Sequence, residues 1–90
     1  MIEVFDKKYK LIKDYKEAFN EEDFKNKVTE YFIDYDYIVG DISYDKLRLK
    51  GFTKKENKLN NKINDYERVD NYIKENCAYG CKYFILERQD

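Results

Sequence analysis

Asp36-Tyr37-Ile38-Val39-Gly40-Asp41, followed by Leu47-Arg48-Leu49-Lys50-Gly51-Phe52, is where the hydrophobic period of this chain changes. Upstream, Phe24, Val28, Tyr31, Phe32 and Tyr35 recur at the spacing of one helix face. From Asp36 the pattern becomes that of strands. Tyr37-Ile38-Val39 is aromatic and β-branched and stops at Gly40, and Leu47 and Leu49 alternate with Lys46, Arg48 and Lys50. The alternation places the two leucines on one face and the three cations on the other. Asp41 to Asp45 is expected to form the hairpin loop between these strands.

Working outward, Ile2 to Phe5 reads as a short strand, Asp6-Lys7-Lys8 as a turn and Tyr9 to Lys13 as a second strand. Asn20 suits a helix N-cap, and the acidic Glu21, Glu22 and Asp23 that follow suit the positive end of the helix dipole. The polar, Asn- and Lys-rich segment 53–64 is expected to be a flexible loop. Val69, Tyr72, Ile73 and Cys77 suggest a second helix that starts near Asp65 and ends at Gly80. Tyr83-Phe84-Ile85-Leu86 is an uninterrupted apolar run, the pattern of a strand covered on both faces. The expected order is β-β-α-β-β-α-β. This is a single α+β domain over 1–90, with two helices packed on a mostly antiparallel sheet.

The composition is consistent with one small folded domain. The chain has 90 residues, 42% of them hydrophobic and 41% charged, with a net charge of −1. Disorder combines low apolar content with high net charge, and this chain has neither. Ten Tyr and six Phe, with no Trp, make tyrosine the expected outer layer of the core. No run approaches the roughly 20 apolar residues of a membrane span. The opening Met1-Ile2-Glu3-Val4-Phe5-Asp6 lacks the pattern of a secretory signal, and with two cysteines the chain is expected to be cytoplasmic.

The near-neutral total conceals strong segmentation. Residues 1–16 carry a net +2, 17–45 a net −7, 46–62 a net +6 and 63–90 a net −2. The basic segment begins on the strand face of Lys46, Arg48 and Lys50, whose neighbours stand about 6.8 Å apart at a rise of about 3.4 Å per residue. Lys54, Lys55, Lys58 and Lys62 follow. Such a stripe fits an acidic protein surface or phosphates. The competing reading is internal neutralisation by Asp36, Asp41 or the carboxylates of the first helix. The low net charge weighs against nucleic acid.

Other constellations point less far. The chain has no histidine, the commonest general base near neutral pH, and no glycine-rich phosphate loop, so no catalytic residue is assigned. Asp34, Asp36, Asp41 and Asp45 lack the glycine-punctuated spacing of a calcium loop, and no metal or cofactor is expected. Cys77 and Cys81 form a possible redox pair across a turn. Two thiols without histidine complete a zinc site only between molecules, and two buried thiols are the plainer expectation.

The blocks 36–41 and 47–52, together with Tyr72-Ile73 and Cys77-Ala78-Tyr79-Gly80-Cys81-Lys82-Tyr83-Phe84, resemble the YutD-like family of small bacterial proteins. Lys13-Asp14-Tyr15 and Phe19-Asn20-Glu21-Glu22 add to that resemblance, which spans nearly the whole chain. Ile42 and Ser43 depart from it, standing where Trp and Gly are frequent in the family. The resemblance implies a fold and a compartment and assigns no reaction. The function expected from the residues is a non-enzymatic cytoplasmic binding or adaptor module. It would engage a protein partner through Lys46, Arg48, Lys50, Phe52, Lys54 and Lys55. An RNA- or DNA-binding accessory protein using the same stripe is the alternative, and a redox or metal switch at Cys77 and Cys81 the weaker one.

Overall fold

Two tight turns set the registers of the outer hairpins. In the computed structural model, which describes residues 1–76 and 81–89, β1 (Ile2–Val4) turns into β2 (Lys7–Tyr15) through Phe5 and Asp6 alone. Likewise β3 (Tyr37–Ser43) turns into β4 (Lys46–Phe52) through Tyr44 and Asp45. All four turn residues have positive φ, 50° and 64° in the first turn and 54° and 63° in the second. Two consecutive left-handed residues are the backbone of a type I′ turn, which matches the twist of the flanking strands. The loops expected at 6–8 and 41–45 are therefore shorter than the sequence suggests. Asp41, Ile42 and Ser43 belong to β3 because each gains a partner across the ladder.

The sheet has five strands in the order β1-β2-β5-β3-β4, and all its neighbours are antiparallel. β5 (Lys82–Arg88) lies in the middle, so Phe84, Ile85 and Leu86 are all buried, as their uninterrupted run predicts. The register of β2 against β5 shifts between Leu11 and Lys13, leaving Ile12 as a bulge that is partly exposed.

The helices cover opposite faces. α1 (Glu21–Lys27) starts at Asn20, whose side chain accepts from the Asp23 N–H at 3.0 Å. It is shorter than the apolar spacing predicts. Val28 and Thr29 adopt extended backbone, and the chain resumes as a 3₁₀ turn over Glu30–Asp34. Two adjacent β-branched residues disfavour helix, which accounts for the break. Phe24, Val28 and Phe32 pack with Ile38, Phe84 and Leu86 on this first face. α2 (Val69–Asn76) follows a 3₁₀ turn over Tyr66–Arg68 whose N-cap is Asp65, where the sequence places the start. Val69, Tyr66, Tyr72 and Ile73 pack with Tyr37, Val39, Phe52 and Ile85 on the second face. The expected stop at Gly80 lies outside the described residues.

Gly40 is needed at the centre of the first face. A Cβ there would lie 2.1 Å from Cζ of Phe84, whose ring rests on the glycine backbone. Segment 53–64 is held closely to the body. Thr53 is fully buried and its hydroxyl donates to the Asn64 carboxamide oxygen at 2.8 Å. Asn57 donates to Asp36 at 3.1 Å, and Asn64 donates to the Leu59 carbonyl at 2.8 Å. The asparagines that suggest a flexible loop bind the backbone of their own turns instead.

Candidate functional site

The register of β3 on β4 decides what each basic residue does. Asp41 lies opposite Arg48, Val39 opposite Lys50 and Tyr37 opposite Phe52, so the basic face of β4 is the face covered by α2. Exposure falls along the strand, from an exposed Lys46 to a half-buried Lys50 and a fully buried Phe52.

Arg48 is a structural tether. Its guanidinium meets Asp41 Oδ2 at 2.5 Å and also donates to the carbonyl of Asn76, the last residue of α2, at 2.6 Å. Asp41 is 2% exposed, and Ser43 donates to the same oxygen at 3.2 Å. Its hydrogen bond and its charge together hold the Arg48 proton more firmly than usual. The pair fixes the end of α2 to the sheet, a role in which a planar, multiply donating cation is not replaceable by lysine. Asp41 Oδ1 is buried and has no hydrogen-bond partner among the described residues.

The remaining cations of the stripe divide into engaged and open. Lys55 meets Asp65 at 2.6 Å and Glu67 at 3.5 Å. The hydrogen bond to Asp65, more than the accompanying charges, raises the Lys55 pKa, and the same bond leads the causes that hold the Asp65 carboxyl below its ordinary value. Lys50 lies over the rings of Phe52 and Tyr72, 5.4 and 5.6 Å from their centroids. Lys54 lies 5.9 Å from the Tyr37 ring, and its backbone N–H donates to Asp36. Asp36 pairs with Arg88, at 3.3 Å, and not with the stripe. Lys46 and Lys50 have no carboxylate partner among the described residues.

Six residues read as one surface thus fall into three groups. Phe52 is core, because α2 closes that end of the strand, and it is not available as a contact. Arg48 and Lys55 serve internal ion pairs, while Lys46, Lys50 and Lys54 keep their charge free of carboxylates among the described residues. Sequence reasoning misses the aromatic neighbours of the leucine face. Tyr35 covers Gly51, where a Cβ would meet its ring at 2.4 Å. Tyr31 and Tyr35 share a hydroxyl hydrogen bond of 2.8 Å, the leading cause that pushes the Tyr35 pKa up to about 12. The spacing of Tyr31 and Tyr35 is visible in the sequence, but it reads there as a continued helix.

Cys77 lies outside the described residues. Cys81 is half-buried at the entry to β5 and is not a free thiol, which corrects the expectation of two buried thiols. Among the described residues no three His, Cys, Asp or Glu side chains gather as a metal site. No helix among them is long and apolar enough to cross a membrane.

A family model described as "Putative antitoxin YutD-like" matches residues 3–87. The chain belongs to the YutD-like family. It is 41% identical over 88 residues to "Putative antitoxin YutD" of Bacillus subtilis (strain 168), an alignment covering 98% of this chain and 97% of that protein. The solution NMR structure of protein yutD from B. subtilis superposes with a TM-score of 0.79 at 40% identity. It covers 96% of this chain and 78% of that one. The YutD-like resemblance carried by residues 36–41, 47–52 and 72–84 is thereby established, and with it the α+β fold.

Proposed function

We propose that this YutD-like chain is a non-enzymatic binding module of the cytoplasm that engages a protein partner through the exposed end of β4. The observation that carries this reading is the division of the basic stripe. Lys46 and Lys50 stand on the last strand of the sheet with their charges unmatched by carboxylates among the described residues, while their neighbour Arg48 is consumed by the fold. A charge that the fold does not use is available to a partner. Among the described residues the displaced titrations trace to ion pairs, to tyrosine burial and to hydrogen bonds of tyrosine hydroxyls, contacts that serve packing, and this supports a reading by binding. The name antitoxin, borne by the Bacillus relative, is compatible with a protein that acts by binding. Nucleic-acid binding is the weaker reading, because Arg48 and Lys55 already have internal partners.

The test is affinity capture from native lysate with the wild-type chain and with Lys46→Glu/Lys50→Glu. Arg48 must be left intact, since its loss would expose a folding defect. A protein recovered by wild type and lost with the double variant, at unchanged circular dichroism, is the expected result. Equal recovery by both would remove this surface from consideration. RNA or DNA binding at low salt that collapses as salt rises would transfer the stripe to the nucleic-acid reading.

A further inference from the structure

β4 forms one border of the sheet. Its two-residue turn makes Ser43 and Lys46 the closing hydrogen-bonded pair, and bonded pairs then alternate along an antiparallel ladder. Arg48, Lys50 and Phe52 therefore bond to β3, while Leu47, Leu49 and Gly51 aim their N–H and C=O at the outer edge. Thr53 is next in that outward series and shows what such groups do when a strand arrives. Its N–H donates to the Asn64 carbonyl at 2.7 Å, and its own carbonyl accepts from the Tyr66 N–H at 2.9 Å, a parallel bridge. Among the described residues the chain pairs with its own edge there and no further. Among the described residues no backbone hydrogen bond reaches Leu47 or Leu49 from outside, and both are only half-buried.

The space beside this edge is shaped and charged. A recess of about 240 Å³ is lined by Leu49 to Gly51 together with Tyr31, Tyr35 and Ile63. Tyr31 is 64% and Ile63 74% exposed, so two large apolar side chains stand in solvent at the same recess. An adjoining depression brings Lys50, Lys62 and Arg68 together with one carboxylate, Glu75. Lysines on an edge strand repel a basic strand, including the β4 of a second copy, and they attract an acidic one.

The geometry points to strand addition: an extended acidic segment of a partner protein pairs with Leu47 and Leu49 at the outer edge of β4. One of its apolar side chains sits in the recess lined by Tyr31 and Ile63. This inference rests on the proposed function and specifies its mode of recognition, backbone pairing guided by charge.

The probe is a synthetic peptide, acetyl-Glu-Val-Glu-Val-Glu-Val-Glu, titrated into the full chain at low salt, with its Lys-Val counterpart as the control. Solvent exchange of the Leu47 and Leu49 amides is expected to slow about tenfold on binding, as protection by one added hydrogen bond each implies. Proline at an outward-facing edge position removes that donor without removing a bond to β3. Leu49→Pro is therefore expected to bind about tenfold more weakly than Leu49→Ala, which loses the same leucine packing but keeps the N–H. The lysine peptide is expected not to bind. Equal binding by the two Leu49 variants, with the edge amides unprotected, would overturn strand addition while leaving the charged-face reading intact. Failure of the acidic peptide would overturn it also, whereas the proposed function falls only if capture from lysate is indifferent to Lys46 and Lys50. Self-association that disappears in Leu49→Pro would overturn the acidic occupant in favour of a second copy.

Discussion

On the α1 side of the sheet, aromatic rings lie on glycines: Phe84 across Gly40 and Tyr35 across Gly51. On the α2 side, β3 and β4 present a buried carboxylate and a guanidinium, Asp41 and Arg48, beside Phe52 and Tyr72. The first face is closed by shape and the second partly by charge. A face closed by shape resists any change of volume. One closed by charge resists loss of one partner but tolerates loss of both, because the cost comes from leaving a charge buried alone. The same contrast explains why a functional surface can sit on β4. Only the α2-side cations that the fold leaves unmatched are free to meet something else.

The largest effect should come from breaking the shape-closed face. Gly40→Ala puts a methyl where the Phe84 ring now rests, in the strand beside the middle of the sheet. The ring is fully buried and also packs against Phe19 and Phe24, at 5.0 and 6.2 Å between centroids, so it has little room to retreat. A loss of about 3 kcal/mol is expected, the upper part of the range for overpacked cores, read as a shift in urea midpoint at constant slope.

Next comes the charge-closed face. Arg48→Met leaves Asp41 buried without its cation and releases the Asn76 carbonyl. Half of the Arg48 side chain remains in solvent, which moderates the penalty to about 2 kcal/mol. Asp41→Leu combined with Arg48→Met should recover most of that loss. A double variant as unstable as the single one would show that Arg48 acts by packing and not by charge.

A smaller effect depends on pH. The Asp65 carboxyl is held below its ordinary value by Lys55 and by the Glu67 N–H. A depressed carboxylate contributes stability that is present above its unfolded pKa and is lost as pH falls through the folded value. Lys55→Met should therefore lower the urea midpoint at pH 7, and the two proteins should converge as the pH drops below the carboxylate range. A difference that persists at pH 2 would mean that Lys55 stabilises the loop by other means.

How much of this is legible in the sequence follows from what each feature depends on. The change of period at Asp36, the Asn20 cap, the start near Asp65 and the buried central strand at 83–86 are local patterns, and they are read correctly. The two-residue turns are not, because Phe5-Asp6 and Tyr44-Asp45 carry no glycine or asparagine to announce positive φ. The α1 break at Val28-Thr29 is hidden by apolar spacing that continues into the 3₁₀ turn. The candidate site is half legible for a related reason. Alternation places Lys46, Arg48, Lys50 and Phe52 on one face, but which end of that face α2 covers is set by strand order, a property of the whole chain. Asp41 is visible as a possible neutraliser of the stripe, yet only the register chooses Arg48 as its partner.

The smallest expected effect is also the one that separates fold from function on β4. Lys46 makes no ion pair among the described residues, so Lys46→Met should leave the urea midpoint unchanged within about 0.5 kcal/mol. Lys50→Met gives up two ring contacts at more than 5 Å, and a cation–π contact of that exposure is worth about 0.5 kcal/mol. Methionine also keeps most of the aliphatic stem that covers Phe52 and Tyr72. The comparison that matters is with Arg48→Met, two residues along the same strand and on the same face. If Lys50→Met cost as much, Lys50 would be structural like the arginine, and of the face that α2 covers the fold would leave only the charge of Lys46 for a partner. If it costs half as much or less, stability does not account for a cation there, which leaves the charge to the proposed partner or to repulsion of a second edge strand.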